Sequence, residues 1–456
     1  MAATRTRWVP LAGIVLAVLM LMLDATVTIV ALPAMARDLG GNLTDLQWVM
    51  NAYTLAMAGV QLTAGTLADR FGRRRLFLLG IALFAVASLA CGFAPTVAFL
   101  IVARVVQGVA GAFMFATTLA LIGQTYTGAA RGTAFAVRGT TAGIAVVLGP
   151  VVGALLVHSL GWRWIFFVNL PIAAVALAIG WTALLRREPL LRDHRIDIAG
   201  PILLALSLVS LVFALLSANE KGWTSPLILT CLIVATLTIT VFFILESRLE
   251  HPILDFGLFK HSRFVGTQIG SFTVQGSVFG LFVYLSVYFQ NYLGYSVIQA
   301  GLAFLPLVIP IMVAGSVLGT FFDRIQARTS VGAALLLIAV GLGGMLGITP
   351  DTGLGHLVPG MIAIGLGCGI ALPVLGSLGV DVSPHQVGMA SGINNTALQL
   401  GFTLGISLYG AILGTYPTTT GGYIDGLNRI ILIGALWALI GAVLGFVLLR
   451  TVRHRR

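Results

Sequence analysis

The chain has 456 residues, 58% of them hydrophobic and only 9% charged, with a mean hydropathy of +1.02. Soluble domains carry about 25% charged residues, so this composition excludes a soluble globular protein and places the chain in a bilayer. The formal net charge of +11 does not mark a nucleic-acid binder, because the basic residues gather in alternate loops, which is an orientation signal.

About 20 apolar residues cross a bilayer as a helix. Fourteen such runs follow one another, near 9–32, 46–67, 75–93, 97–119, 136–157, 163–184, 198–217, 226–245, 264–289, 298–320, 331–348, 354–377, 393–414 and 427–450. Most connections between them are short. With the N-terminus on the cytoplasmic side, 21 of the 26 basic residues fall in cytoplasmic segments. Arg37, Arg163, Lys221 and Arg429 fall outside, and Arg104 lies within a run. That bias predicts an even number of spans with both termini cytoplasmic. No small-residue cleavage site closes the first run, which therefore reads as a span and not as a cleaved signal.

The first run contains LMLDATVTIVALP (residues 21–33) and so places Asp24 inside an apolar helix. An ionisable group at membrane depth is costly, faces the bundle interior and marks an ion or substrate path by default. The second run carries Asn51 and Tyr53 and ends in GTLADRFGRRR (65–75). Its glycines permit a tight turn. Asp69 among arginines, including Arg70 and Arg73, can pair in one conformational state and separate in another, which makes a gate. The fourth run, LIVARVVQGVAGAFM (100–114), buries Arg104 one turn before Gln107. Asp24 is the natural partner for Arg104, because a central cation needs one.

In the fifth run, AVRGTTAGIAVVLGP (136–150), Arg138 sits near the cytoplasmic end, where a long basic side chain snorkels. Ala145, Gly149 and Gly153 recur every four residues and make a small-residue stripe for close helix packing. Pro150 removes one helical hydrogen bond. Trp162 and Trp164 flank Arg163 at the outer boundary and read as an interfacial aromatic belt. The ninth run is rich in aromatics (Phe272, Phe279, Phe282, Tyr284, Tyr288), which suit either a pocket for flat organic molecules or a lipid-facing surface.

At the end of the tenth run, GTFFDRIQAR (319–328) repeats the Gly-Thr-x-x-Asp-Arg pattern of 65–70 with Asp323 and Arg324. Equivalent positions in two six-span halves predict a transporter built from structural repeats, with the seventh and eighth spans as an inserted hairpin. The expected division is therefore 1–190, 191–250 and 251–456. Thr26, Gln275, Asn395 and Gln399 complete the polar candidates for a cavity, although amides between membrane helices also serve as packing glue. The three cysteines (Cys91, Cys231, Cys368) lie far apart in apolar runs and read as small buried hydrophobes. The seven histidines show no metal-ligand spacing, so no metal site and no catalytic centre is expected.

Several of these motifs resemble those of the 14-span drug:proton antiporter family of the major facilitator superfamily. GTLADRFGRRR is similar to the superfamily's G-x-L-a-D-r-x-G-r-r loop. GPVVG (149–153) resembles the antiporter signature G-P-x-x-G-G, with Ala154 in place of its last glycine. LDATVTIVALP resembles the first-span signature L-D-x-T-v-v-N-v-A-L-P, with Ile29 in place of asparagine. The likeness extends through GWRWIFFVNLP (161–171) and covers essentially the whole chain.

The resemblance implies an all-α integral membrane protein: two six-helix bundles and an inserted two-helix hairpin. It implies that Asp24 and Arg104 serve proton coupling, that Asp69 gates on the cytoplasmic side, and that Gly149 and Pro150 shape the antiport helix. The implied activity is proton-driven export of hydrophobic small molecules across a bacterial plasma membrane, by a monomer whose coupling ion is the proton and which needs no cofactor. Asp24 is the only acidic residue near the centre of a run, so neutral, zwitterionic or monocationic substrates are expected. A lipid-like or endogenous substrate, such as a self-made antibiotic, is the alternative.

Overall fold

The computed structural model describes residues 2–126, 129–184, 199–249, 256–318, 326–379, 381–382, 387–417 and 419–449. Among them the chain is helical, with no strand. The long helices, in chain order, are α1 (Ala2–Leu39), α2 (Leu43–Phe71), α3 (Arg73–Gly92), α4 (Val97–Thr125), α5 (Ala129–Ser159), α6 (Trp164–Ala183), α7 (Ala199–Lys221), α8 (Pro226–Glu246), α9 (Ser262–Tyr292), α10 (Val297–Gly315), α11 (Ala327–Gly344), α12 (Leu354–Gly379), α13 (Val387–Leu413) and α14 (Thr420–Leu448). Twelve helices among the described residues are long and apolar enough to cross a membrane. The chain is thus a multi-pass membrane protein. α2 and α5 lie outside those twelve, although they have 29 and 31 residues; in α5 the apolar stretch found is Leu148–Ser159.

Local signals start and stop these helices. Asn42 caps α2 by accepting from the Asp45 N–H, while the Asp45 carboxylate accepts from the Asn42 N–H, so two orphan donors are satisfied reciprocally. Thr96 caps α4 through the Phe99 N–H. Gly72 separates α2 from α3 at φ 99°, a conformation that disfavours any side chain.

The chain divides into two compact units, residues 1–206 with 241–253, and residues 207–240 with 254–456. In the first unit α1 packs on α5 and α6, and α4 packs on α2 and α3. Small residues set the spacing. A Cβ at Gly153 of α5 would lie 3.0 Å from the Val27 carbonyl of α1. At Gly108 of α4 it would strike the Tyr53 carbonyl of α2. The core between the helices is apolar and close-packed, with Leu21, Tyr53, Met57, Phe84 and Met114 all buried.

In the second unit α11 packs on α12 and α14, α10 on α12, and α9 on α13. α9 contains two π-helical turns, Gln275–Phe279 and Tyr288–Tyr292. Phe279, Phe282, Tyr284 and Tyr288 of α9 are buried within the fold, so they do not form a lipid-facing surface. Tyr284 donates to the Ile406 carbonyl of α13, and Tyr409 of α13 donates back to the Ser277 carbonyl at 3.2 Å. α7 and α8 meet through Ala214, Ala218 and Ile228, and the Ser207 hydroxyl donates to the Ala235 carbonyl at 2.9 Å.

Candidate functional site

Asp24 sits near the middle of α1, 2% exposed, and Arg104 of α4 is fully buried. An apolar sequence makes both helices, and close packing in the first unit then forces the two charges to find each other. Arg104 Nη1 lies 2.5 Å from Asp24 Oδ2, a charge-assisted hydrogen bond. Arg104 Nε donates to the Val49 carbonyl of α2 at 3.2 Å. Its guanidinium carbon stands 4.3 Å from the centre of the Tyr53 ring and 5.9 Å from that of Phe166. The cation is therefore held by a carboxylate, a carbonyl and two aromatic faces.

The other carboxylate oxygen, Asp24 Oδ1, accepts from Gln107 Nε2 at 2.9 Å and from Asn169 Nδ2 at 3.0 Å. Both amide nitrogens also reach Ser88 Oγ on α3, at 2.9 and 3.2 Å. Gln107 Oε1 accepts from Arg104 Nη1 at 2.8 Å and from the Cys91 thiol at 3.6 Å. Thr28, one turn further along α1, donates to the Asp24 carbonyl at 2.6 Å. Five helices thus converge on one buried carboxylate: α1, α2, α3, α4 and α6. Such a network is costly unless each member is satisfied. Two atoms are not: Arg104 Nη2 and Asn169 Oδ1 are buried without a hydrogen-bond partner.

The sequence pointed to Asp24, Arg104, Gln107 and Tyr53, and the fold gathers all four. It did not point to Ser88, Cys91 or Asn169. Ser88 is one hydroxyl in an apolar helix. Asn169 follows the run WIFFV at the start of the regular part of α6, where its backbone position alone gives no sign of what its side chain meets. Cys91 is buried, as expected, but its thiol touches the polar network and is not merely a hydrophobe.

Asn51 is also buried on α2. Thr26 packs against Gly149, and Pro150 continues within α5, so this helix runs through its proline. Arg138 stacks over Phe115 of α4, its guanidinium carbon 5.0 Å from the ring centre, with a contact inside the fold where snorkelling was expected. Trp162 is buried and donates to Asp38 Oδ2 at 3.0 Å, and Arg163 pairs with the same oxygen at 2.5 Å. The expected aromatic belt is therefore half a buried clasp, with Trp164 its exposed member.

The polar candidates of the second unit form no comparable cluster. Gln275 opens the first π turn of α9. Tyr284 is engaged with Ile406, and the Asn395 amide donates to Ser391 Oγ at 3.5 Å. Gln399 is half-buried one turn further along α13. Asp69 and Arg70 lie in the last turn of α2, but their side chains fall outside the description, as do Asp323 and Arg324 altogether. Arg73 opens α3. No group of three or more metal-ligating side chains occurs among the described residues.

Comparisons with known proteins agree with this architecture. The family model described as Major Facilitator Superfamily matches residues 14–406. The puromycin resistance protein pur8 of Streptomyces alboniger is 39% identical over 97% of this chain and 91% of its own length. The tetracenomycin C resistance and export protein of Streptomyces glaucescens is 33% identical, over 89% of this chain and 76% of its own. The multidrug resistance protein Stp of Mycobacterium tuberculosis is 32% identical, over 91% and 78%. A family match across most of a multi-pass helical chain, with a charge pair buried in its first unit, identifies the chain as a membrane transporter belonging to the major facilitator superfamily.

Proposed function

We propose that the chain exports hydrophobic small molecules in exchange for protons, by alternating access, and that Asp24 carries the proton. The observation that supports this most directly is the Asp24–Arg104 pair at membrane depth, 2.5 Å apart and excluded from solvent. A desolvated carboxylate favours its protonated form, while a cation in contact favours the charged form. A conformational change that separates Asp24 from Arg104, or that opens either to water, therefore moves a proton on or off. About 100 mV of membrane potential supplies roughly 2.3 kcal/mol per charge, equivalent to an approximately 50-fold substrate gradient.

In this reading α1 to α6 and α9 to α14 are the two six-helix halves, divided at 1–190 and 251–456. α7 and α8 are the inserted hairpin (191–250), which makes fourteen spans with both termini cytoplasmic in a bacterial plasma membrane. Asp69, Arg70 and Arg73 gate the cytoplasmic side together with Asp323 and Arg324. Gly149, Pro150 and Gly153 set how closely α5 approaches α1 during the cycle. Thr26, Asn51, Gln275, Asn395 and Gln399 contribute to the substrate path, and the protein works as a monomer without a cofactor.

The expected substrates are neutral, zwitterionic or monocationic. Among the described carboxylates only Asp24 and Glu246 are buried, and Glu246 is the last residue of α8. A dication would need a second carboxylate near Asp24. The names of two relatives, which refer to resistance to single antibiotics, favour a second reading in which one antibiotic is the dedicated cargo.

The test is reconstitution of the full chain in liposomes under an imposed pH gradient, with a panel of hydrophobic neutral, monocationic and dicationic compounds. Gradient-driven transport by the wild type and its loss in Asp24→Asn, at equal reconstitution, is the expected result. Undiminished gradient-driven transport by Asp24→Asn would sink the proposal. Competitive binding of a dication would sink the substrate class alone.

A further inference from the structure

The two amides that hold Asp24 Oδ1 are not equivalent. Gln107 is fixed at both ends: its Nε2 donates to Asp24 and Ser88, and its Oε1 accepts from Arg104 at 2.8 Å. Asn169 is fixed at one end. Its Nδ2 donates to Asp24 and Ser88, while its Oδ1 is buried with no partner. Leaving a buried acceptor unmade costs about 1–3 kcal/mol, so the arrangement has a reason to be other than it is.

That reason emerges when Asp24 gains a proton. A protonated carboxyl needs an acceptor for its O–H, yet every side chain bonded to it in this arrangement is a donor: Arg104 on Oδ2, and Gln107 and Asn169 on Oδ1. Gln107 cannot reverse without aiming its N–H groups at Arg104. Asn169 can reverse with no acceptor lost, because its oxygen has no bond to give up. Reversal puts Oδ1 where Nδ2 now stands, between Asp24 and Ser88. There it accepts the new O–H of Asp24. Ser88, whose hydroxyl rotates freely, then turns from accepting the Asn169 N–H to donating to its oxygen. The unpartnered oxygen gains two donors.

We propose that Asn169 is the positioning residue that reads the protonation of Asp24, by reversing its amide between a donor state for the carboxylate and an acceptor state for the carboxyl. This rests on the reading of Asp24 as the proton carrier. The other titratable groups around Asp24 keep one hydrogen-bonding role. Arg104 from α4 only donates, Cys91 from α3 donates to Gln107, and Tyr53 from α2 presents its ring face to Arg104. From α5 the neighbours of α1 include Gly149 and Gly153, which have no side chain to offer. A signal generated at Asp24 therefore leaves the cluster through Asn169 and enters α6.

The test is infrared difference spectroscopy on the reconstituted full-length protein, acid minus neutral, with asparagine labelled by 13C and 15N in the side-chain amide. Asp24 is assigned by the carboxyl C=O band that disappears in Asp24→Asn. An asparagine amide signal should appear with the same pH midpoint as that band and vanish in Asp24→Asn. In Asn169→Leu the amide signal should be lost and the carboxyl band should move to higher frequency, since its O–H no longer has an acceptor. Asn169→Ser, whose hydroxyl both donates and accepts, should keep the band near its wild-type position if the substitution folds. A wild-type spectrum with the Asp24 band and no asparagine amide change overturns the proposal and needs no variant at 169. The absence of any Asp24 carboxyl band across the pH range would overturn the proton-carrier reading instead, so the two failures are distinguishable.

Discussion

Gly149 of α5 faces Thr26 of α1 so closely that a Cβ at position 149 would overlap the Thr26 Oγ1. Thr26 lies two residues beyond Asp24, so the closest approach of α5 to α1 occurs beside the buried carboxylate. The hydroxyl of Thr26 is turned back onto its own helix, donating to the Met22 carbonyl at 2.9 Å. That leaves helix-to-helix packing as the main content of the contact.

Gly149→Ala should therefore destabilise the first unit. Inserting a methylene into a packed interior costs about 1–3 kcal/mol, and the melting temperature of the detergent-solubilised protein should fall accordingly. Combining it with Thr26→Ala removes part of the obstruction and should recover part of the loss. A Gly149→Ala protein that melts like the wild type would show that α1 and α5 separate freely here.

The Asp24–Arg104 pair should behave asymmetrically under substitution. Removing one partner of a buried pair typically costs about 3–5 kcal/mol, because the other charge is left uncompensated. Arg104→Gln and Asp24→Asn should each lower stability, and the double variant should be more stable than the sum of the two single losses. Additive losses in a denaturation series would mean that the two charges do not depend on each other.

At the outer end of the first unit Asp38 serves two donors, Trp162 and Arg163, through one oxygen. Arg163 is 39% and Asp38 47% exposed, so the ion pair itself is worth about 0.2–1 kcal/mol. Asp38→Ala should cost more than Arg163→Ala, since it also strands the buried Trp162 N–H. Equal losses in thermal unfolding would remove Trp162 from the account.

Tyr409 provides a test in the second unit. Its O–H donates to the Ser277 carbonyl inside the first π turn of α9, and both groups are buried. Tyr409→Phe keeps the ring and deletes that one bond, which is worth about 1 kcal/mol. A modest drop in melting temperature is expected; no drop would mean that the carbonyl finds another donor.

What was legible in the sequence followed from cost. Asp24 and Arg104 stand out because charges in apolar helices need a reason, and the motif flanking each helped. Gln107 was legible because it shares a helix with Arg104, three residues on. Ser88 and Asn169 were not, because one small polar residue per apolar run is ordinary in membrane helices. Their role depends on α3 and α6 both packing against α1 and α4, a tertiary fact that no helical period encodes. Trp162 misled for a similar reason. Its position at a span end matched an interfacial ring, while its indole N–H is used by Asp38 on another helix.

The two π turns of α9 carry a consequence for how this sequence can change. A π turn holds one residue more than the α-helical turn it replaces, so α9 could lose one residue within Gln275–Phe279 and remain a continuous helix. It could not do so unnoticed. Each residue advances a helix by about 100°, so Tyr284 and everything beyond it would swing to a new face, away from the Ile406 carbonyl. Homologues that differ by one residue in this stretch would thus be told apart by which way their aromatic side chains point, while their hydropathy profiles stayed the same.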